Sequence, residues 1–160
     1  VLALNLGLGT PLGFGGVEAQ YNPLRFLGIA AGVGGNSDSA QVMLALRPRF
    51  PLGRDVALTA SVGWSTGPHR QLDGRLFVLF GPRKFARAWD HAHWFNLDLG
   101  FELRPSDHFQ IRTYFGITQL INVGAYRCSG DNIDLCENPT ADYTPNHWYP
   151  YFGVAFALLL

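Results

Sequence analysis

Several groups of residues carry side chains capable of chemistry. Cys128 and Cys136 bracket the segment CSGDNIDLC, which also holds Asp131 and Asp134, with Glu137 just beyond it. Two thiols this close in sequence close a disulfide wherever the compartment is oxidising. The three carboxylates lack the ordered ligand spacing of a calcium loop. In DHAHW, His91 and His93 share a face of an extended chain, and His147 is the nearest further imidazole. That spacing supplies no evident third zinc ligand, so no metal and no other cofactor is expected. Ser65 with His69, His91 and His93 contains the atoms of a nucleophile and its base, but no third member completes a triad. A last group is ionic or hydrogen-bonding: Glu18, Gln20, Arg47, Asp98, Glu102, Arg112 and Tyr114. These residues are scattered along the chain and form a site only if the fold gathers them.

The totals restrict which folds are available. A chain of 160 residues makes one domain, 1–160. Only 15% of residues are charged, and of the 12 basic side chains Lys84 is the single lysine. A water-facing surface normally carries more charge than this, with both signs interspersed. The net charge of zero leaves no basic footprint, which argues against nucleic acid. No apolar run approaches the ~18 to 20 residues of a membrane-spanning helix. No N-terminal signal peptide is visible, and a chain that opens inside a strand reads as a processed product.

Alternation of large apolar with small or polar residues recurs along the chain, separated by turn chemistry. The first such strand is VLALNLGLGT, residues 1–10, and further strands are expected near 14–22, 24–34, 40–50 and 56–66. The segments near 93–104 and 108–124 follow, and WYPYFGVAFALLL closes the set. Breaks at TPLG, NPL, GNSDS, PLGRD and PSD supply Pro, Gly, Asn and Asp, the residues that turns require. Long connections, 67–92 and 125–146, follow the fifth and seventh strands. In an up-and-down meander they fall at one end, with short turns at the other. The expected fold is therefore all-β, an eight-stranded antiparallel up-and-down transmembrane barrel.

The faces opposite the leucines set its orientation. They read Ala3, Asn5, Gly7 and Gly9 in the first strand and Ala57, Thr59, Ser61 and Gly63 in the fifth. Small residues of this kind fit a crowded lumen, whereas the bulky rows exceed what an eight-stranded interior can hold. The leucines therefore face lipid, and the ionic group faces inward. Matching apolar faces sets Leu103 opposite Phe109. Asp98 then faces Tyr114, Glu102 faces Gln110, and Arg112 lies diagonal to both acids. Charges in a narrow lumen must be paired, so a plugged polar interior is expected rather than an open channel.

These features resemble the small eight-stranded bacterial outer-membrane barrels, such as the transmembrane domain of outer-membrane protein A and its short relatives. FGVAFAL, with Gly153, Phe156 and Leu158, looks like the C-terminal signal read by the barrel-assembly machinery, although the chain ends on Leu160 where that signal ends on an aromatic. The resemblance implies the outer membrane of a Gram-negative bacterium, and aromatic girdles formed by Tyr21, Phe50, Trp64, Trp94, Trp148 and Tyr149. Cys128 and Cys136 then sit on the oxidising side, and a disulfide is expected. Some barrels of this kind modify lipid A, but the chain has no histidine–serine motif like the deacylases. The expected role is non-enzymatic: a structural or protein-interaction component acting through its external loops, 67–92 and 125–146, alone or as a subunit of a larger assembly. A lipid A-modifying enzyme and a small pore are the alternatives. Leu76, Phe77, Phe80 and Trp89 in the 67–92 connection are too apolar for a freely solvated loop; they could extend strands five and six beyond the membrane, fold over the barrel mouth or dock a partner such as another outer-membrane protein, and Arg83, Lys84 and Arg87 could bind lipopolysaccharide phosphates or acidic protein surfaces.

Overall fold

A computed structural model describes residues 1–36, 39–72, 86–122, 126–129 and 148–159. The strands are β1 (Leu2–Thr10), β2 (Gly13–Leu24), β3 (Leu27–Asn36), β4 (Ser39–Pro51), β5 (Val56–Leu72), β6 (Ala86–Ser106), β7 (Phe109–Asn122), β8 (Tyr126–Ser129) and β9 (Trp148–Leu158). Every pairing is antiparallel. Consecutive strands from β1 to β7 are neighbours, and β9 lies between β7 and β1, which closes the ring. The barrel wall is thus eight strands, β1–β7 and β9. Among the described residues the short β8 pairs with β6 alone. Closure leaves the wall without an edge strand, so every wall strand finds partners on both sides.

The two rows of each wall strand meet different surroundings. In β1, Ala3 and Asn5 are buried, while Leu2, Leu4 and Leu6 point outward and are exposed. In β5, Ala57, Thr59, Ser61 and Ser65 are buried, and Leu58, Val62 and Trp64 are exposed. The outer surface carries Leu44, Leu46, Leu99 at 72% exposure, Phe101, Phe115, Phe152 and Phe156. The lumen takes Glu102 at 1% exposure, Arg112 at 3% and Glu18 at 3%. This is the reverse of a water-soluble barrel, where bulky apolar residues fill the interior.

Two local features differ from the sequence reading, and a third decides between alternatives that it left open. The turn expected at NPL lies two residues later: Asn22, Pro23 and Leu24 belong to β2, and the ladder skips from Tyr21↔Ile29 to Leu24↔Leu27. Pro23 has no N–H to give a ladder, so it sits in an irregularity. The β6–β7 register is also two residues from the expected one. Leu103 pairs with Ile111, Glu102 with Arg112, Gly100 with Tyr114 and Asp98 with Gly116. Asp107 and His108 make a tight turn, and a break between Leu103 and Ser106 absorbs the difference. A shift of two keeps each side chain on its face, so matching apolar faces could not detect it. Finally, the 67–92 connection is strand at both ends. The β5–β6 ladder runs on past Thr66↔His93 to Leu72↔Ala86, and β8 pairs Tyr126–Ser129 with Trp89–Ala86.

The filled lumen as candidate functional site

Inward-facing rows of β2, β4, β5, β6, β7 and β9 bring the ionic group together. Arg47 of β4 donates from Nη2 to Glu18 Oε2 at 3.0 Å, from Nη1 to Gln20 Oε1, and from Nε to Ser61 Oγ at 3.1 Å. Arg112 of β7 donates from Nη2 to Asp98 Oδ1 and to Ser61 Oγ at 3.1 Å, and from Nε to Thr59 Oγ1 at 3.1 Å. Its guanidinium lies 4.6 Å from the Tyr114 ring centroid, within cation–π range. Asp98 also accepts from Tyr151 Oη at 3.1 Å. Ser61 Oγ accepts from both arginines, so one small hydroxyl joins the two ion pairs into a single network.

A second layer lies nearer the short-turn end. Arg49 Nε donates to Glu102 Oε2 at 2.7 Å, and Arg104 Nε to Gln110 Oε1 at 3.3 Å. Glu102 faces Arg112 across the ladder yet turns to Arg49, while Arg112 reaches diagonally to Asp98. The expectation that Arg112 lies diagonal to both acids is thus corrected. Arginine is long enough to choose a diagonal carboxylate, and Arg49 of β4 supplies the cation that Glu102 takes.

Long side chains fit because glycines face them. Tyr114 is opposite Gly153, and a Cβ there would overlap the Tyr114 Cζ and Oη; Tyr151 stands in the same relation to Gly116. The rings of Tyr114 and Tyr151 meet edge-on at 6.2 Å. Above this layer, toward the long-loop end, the β1–β2 turn folds inward. Leu12 at its tip is 2% exposed and rests against Gly16, Gly32 and Gly34. Between the turn and the network lies a void of about 10 Å³, lined by Pro11, Leu12, Asn5, Glu18, Met43, Arg47, Asp98, Arg112 and Tyr114. That volume is about enough for one water. Asn5 Nδ2 lines the void and has no protein partner among the described residues.

All seven residues assigned to the interior, Glu18, Gln20, Arg47, Asp98, Glu102, Arg112 and Tyr114, join this lumen. Arg49, Ser61, Thr59, Tyr151 and Leu12 are the additions. Arg49 was legible as Arg47's same-face neighbour, but Leu12 belongs to a turn and follows no period. Gly153 faces inward, and Phe156 and Leu158 face outward, with Phe156 stacked on Phe109 at 6.5 Å. Tyr21, Phe50, Trp64 and Trp148 are exposed on the outer wall near its ends, as girdle residues should be. Trp94 and Tyr149 are not girdle residues. Trp94 pairs with buried Ser65 and Leu120, and Tyr149 with buried Thr118, so both belong to the inner rows at the long-loop mouth, where their rings meet edge-on. His93 takes the outer-wall place instead, stacked on Trp64 at 5.4 Å.

The remaining expectations lie outside the described residues. Leu76, Phe77, Phe80, Arg83, Lys84, Cys136, Asp131, Asp134, Glu137 and His147 fall there, as do the side chains of His69, Arg87, Trp89, His91 and Cys128. Among the described residues no cluster of His, Cys, Asp and Glu is arranged to hold a metal.

Fold and lumen together define a class: closed eight-stranded up-and-down barrels with an apolar outer wall and a filled polar interior, the architecture of small outer-membrane barrels. Solved structures of that architecture resemble the chain over its whole length. The crystal structure of Acinetobacter baumannii CarO2 matches with a TM-score of 0.50 and 14% identity, covering 99% of this chain and 97% of that one. Acinetobacter baumannii CarO matches with a TM-score of 0.45 and 12% identity, covering 99% and 96%. No family model and no curated protein matches the sequence.

Proposed function

We propose that this chain is an integral outer-membrane barrel whose role is non-enzymatic, exerted through its long-loop end on a protein partner or on surface lipopolysaccharide. The observation that carries the membrane placement is the inversion of the two faces. Leu4, Leu44, Leu99, Phe115 and Phe152 face outward and are exposed, while Glu18, Arg47, Glu102 and Arg112 are buried in the lumen. An apolar surface that encircles a barrel is solvated by acyl chains, because water would leave it far beyond the patch size that soluble monomers tolerate.

The projecting ribbon supports the interaction role. Beyond Thr66 and His93, paired strand continues to Leu72 and Ala86. At ~3.3 Å per residue this adds about 20 Å of extended chain past the level of the outer aromatic residues. β8 widens the ribbon to three strands. The segment 73–85 that joins its two long strands carries Leu76, Phe77, Phe80, Arg83 and Lys84 in sequence. The filled lumen argues against a constitutive pore, since two ion pairs and two tyrosines occupy its cross-section.

Refolding decides the membrane placement. The chain should fold only in detergent or phospholipid vesicles, with heat-modifiable electrophoretic mobility and β-type circular dichroism. Folded, monodisperse protein in surfactant-free buffer would refute it. The interaction role is tested by gentle extraction from outer membranes followed by native mass measurement. A co-purifying protein or bound lipopolysaccharide supports it, and a bare barrel whose presence alters lipid A acylation would replace it with the enzymatic reading.

A further inference from the structure

We infer that the β1–β2 turn is a hinged plug, and that the charged layer of the lumen opens to the long-loop end when this turn swings out. The inference rests on the lumen geometry and not on where the barrel resides. Pro11 and Leu12 are buried although they form a two-residue connection at the end of the wall where residues normally project. Leu12 lies in a seat without side chains, formed by Gly16, Gly32 and Gly34. The fit leaves no slack: a Cβ on Gly34 would overlap the Leu12 carbonyl oxygen and stand 2.6 Å from the Gly15 carbonyl oxygen.

The attachment of the turn is as informative as its seat. The β1–β2 ladder is continuous from Leu2↔Ala19 to Leu6↔Gly15, then breaks and resumes only at Thr10↔Gly13. Below the break β1 keeps β2, and it stays paired to β9 as far as Leu8↔Phe152. The turn can therefore leave the lumen while the wall stays closed, losing the Thr10↔Gly13 link, the Thr10 hydroxyl bond to the Gly13 carbonyl and its apolar contacts, while Gly13 stays tied to β3 through its pairing with Gly35. Gly13, at φ 79°, holds a backbone conformation that other residues resist, which suits it to the hinge.

What the plug covers gives the movement a consequence. Glu18, Arg47, Asp98 and Arg112 lie directly beneath Leu12 across a void of about 10 Å³. A space the size of one water admits neither a hydrated ion nor a reagent. Access through this void from the long-loop end thus requires the turn to move.

Arginine-directed dicarbonyl footprinting tests this on the full folded chain in detergent micelles, with modification sites read by mass spectrometry. In the unaltered protein Arg47 and Arg112 should be protected while exposed Arg25 and Arg54 react. Gly34→Ala should unseat the turn and raise labelling of Arg47 and Arg112 severalfold, with Arg25 and Arg54 unchanged. Leu12→Ala alters the tip without touching the wall and should raise it in the same direction. Gly53→Ala, where an added Cβ meets nothing within 4 Å, is the control and should change nothing. Heat-modifiable mobility identifies the folded fraction of each variant. Equal protection of both arginines in folded Leu12→Ala and in the unaltered protein overturns the inference, as does rapid labelling of both without any substitution.

Discussion

Arg47→Met isolates the strongest energetic claim made by the lumen. Both members of the Glu18–Arg47 pair have side chains only 4% exposed, so neither charge can fall back on water. Among the described residues Arg47 hydrogen-bonds the Glu18 carboxylate, whereas Arg47 itself also has Gln20 and Ser61. Removing the cation leaves a buried carboxylate stranded, which costs ~3 to 5 kcal/mol. Removing the anion with Glu18→Gln keeps an acceptor in place and leaves Arg47 two other partners, so the loss should be about 1.5 to 3 kcal/mol, that of a charged hydrogen bond. Once Arg47 is gone, neutralising Glu18 relieves the stranded charge. The double variant should accordingly be no less stable than Arg47→Met alone, with a coupling energy of about 2 kcal/mol or more. Urea titration of protein folded in phosphocholine vesicles, followed by tryptophan fluorescence and by mobility, measures all four corners of the cycle. Additive losses, within about 0.5 kcal/mol, would mean that the two groups do not interact and that the lumen is wetter than its geometry indicates.

Further predictions probe other parts of the molecule. Leu44→Arg, at an outward position of β4 that is 54% exposed, should cost ~2 to 4 kcal/mol in a bilayer, against ~0.5 kcal/mol or less on a water-facing surface. The same vesicle unfolding assay separates these values. Ser61→Ala removes the hydroxyl shared by Arg47 and Arg112 and should cost ~1 to 3 kcal/mol. A combined Ser61→Ala, Arg47→Met variant that loses the full sum of the two would show that the serine bridges nothing. Cys128 and Cys136 should resist thiol-alkylating reagent in the unfolded, unreduced protein and both react after reduction. Labelling of both without reductant removes the disulfide.

Much of the wall was legible because alternation has a period of two, and a wall strand is the one element in which each row keeps one environment along its length. Leu2, Leu4 and Leu6 against Ala3 and Asn5 already declare two solvents. The lumen residues followed from the same parity, since Glu18, Arg47, Asp98 and Arg112 all stand in the rows opposite the bulky apolar ones. Parity is blind to even shifts, which is why the β6–β7 pairing was displaced by two residues with no face exchanged. The same parity, carried back from Asn96 and Asp98, puts Trp94 in the inner row and His93 in the outer one, so the girdle assignment of Trp94 went against the alternation and not with it.

The amino-acid order by itself determined the number of wall strands, the closed meander, the inward and outward rows and the list of buried charges, because each follows from local periodicity and turn chemistry. Only the tertiary structure decided which acid each arginine takes, that Ser61 joins the two pairs, and that the β1–β2 turn lies in the lumen. Those choices depend on diagonal reach across the barrel and on glycines of one strand facing long side chains or a turn from another. Such distances arise only when the ring closes, and no window along the chain contains them.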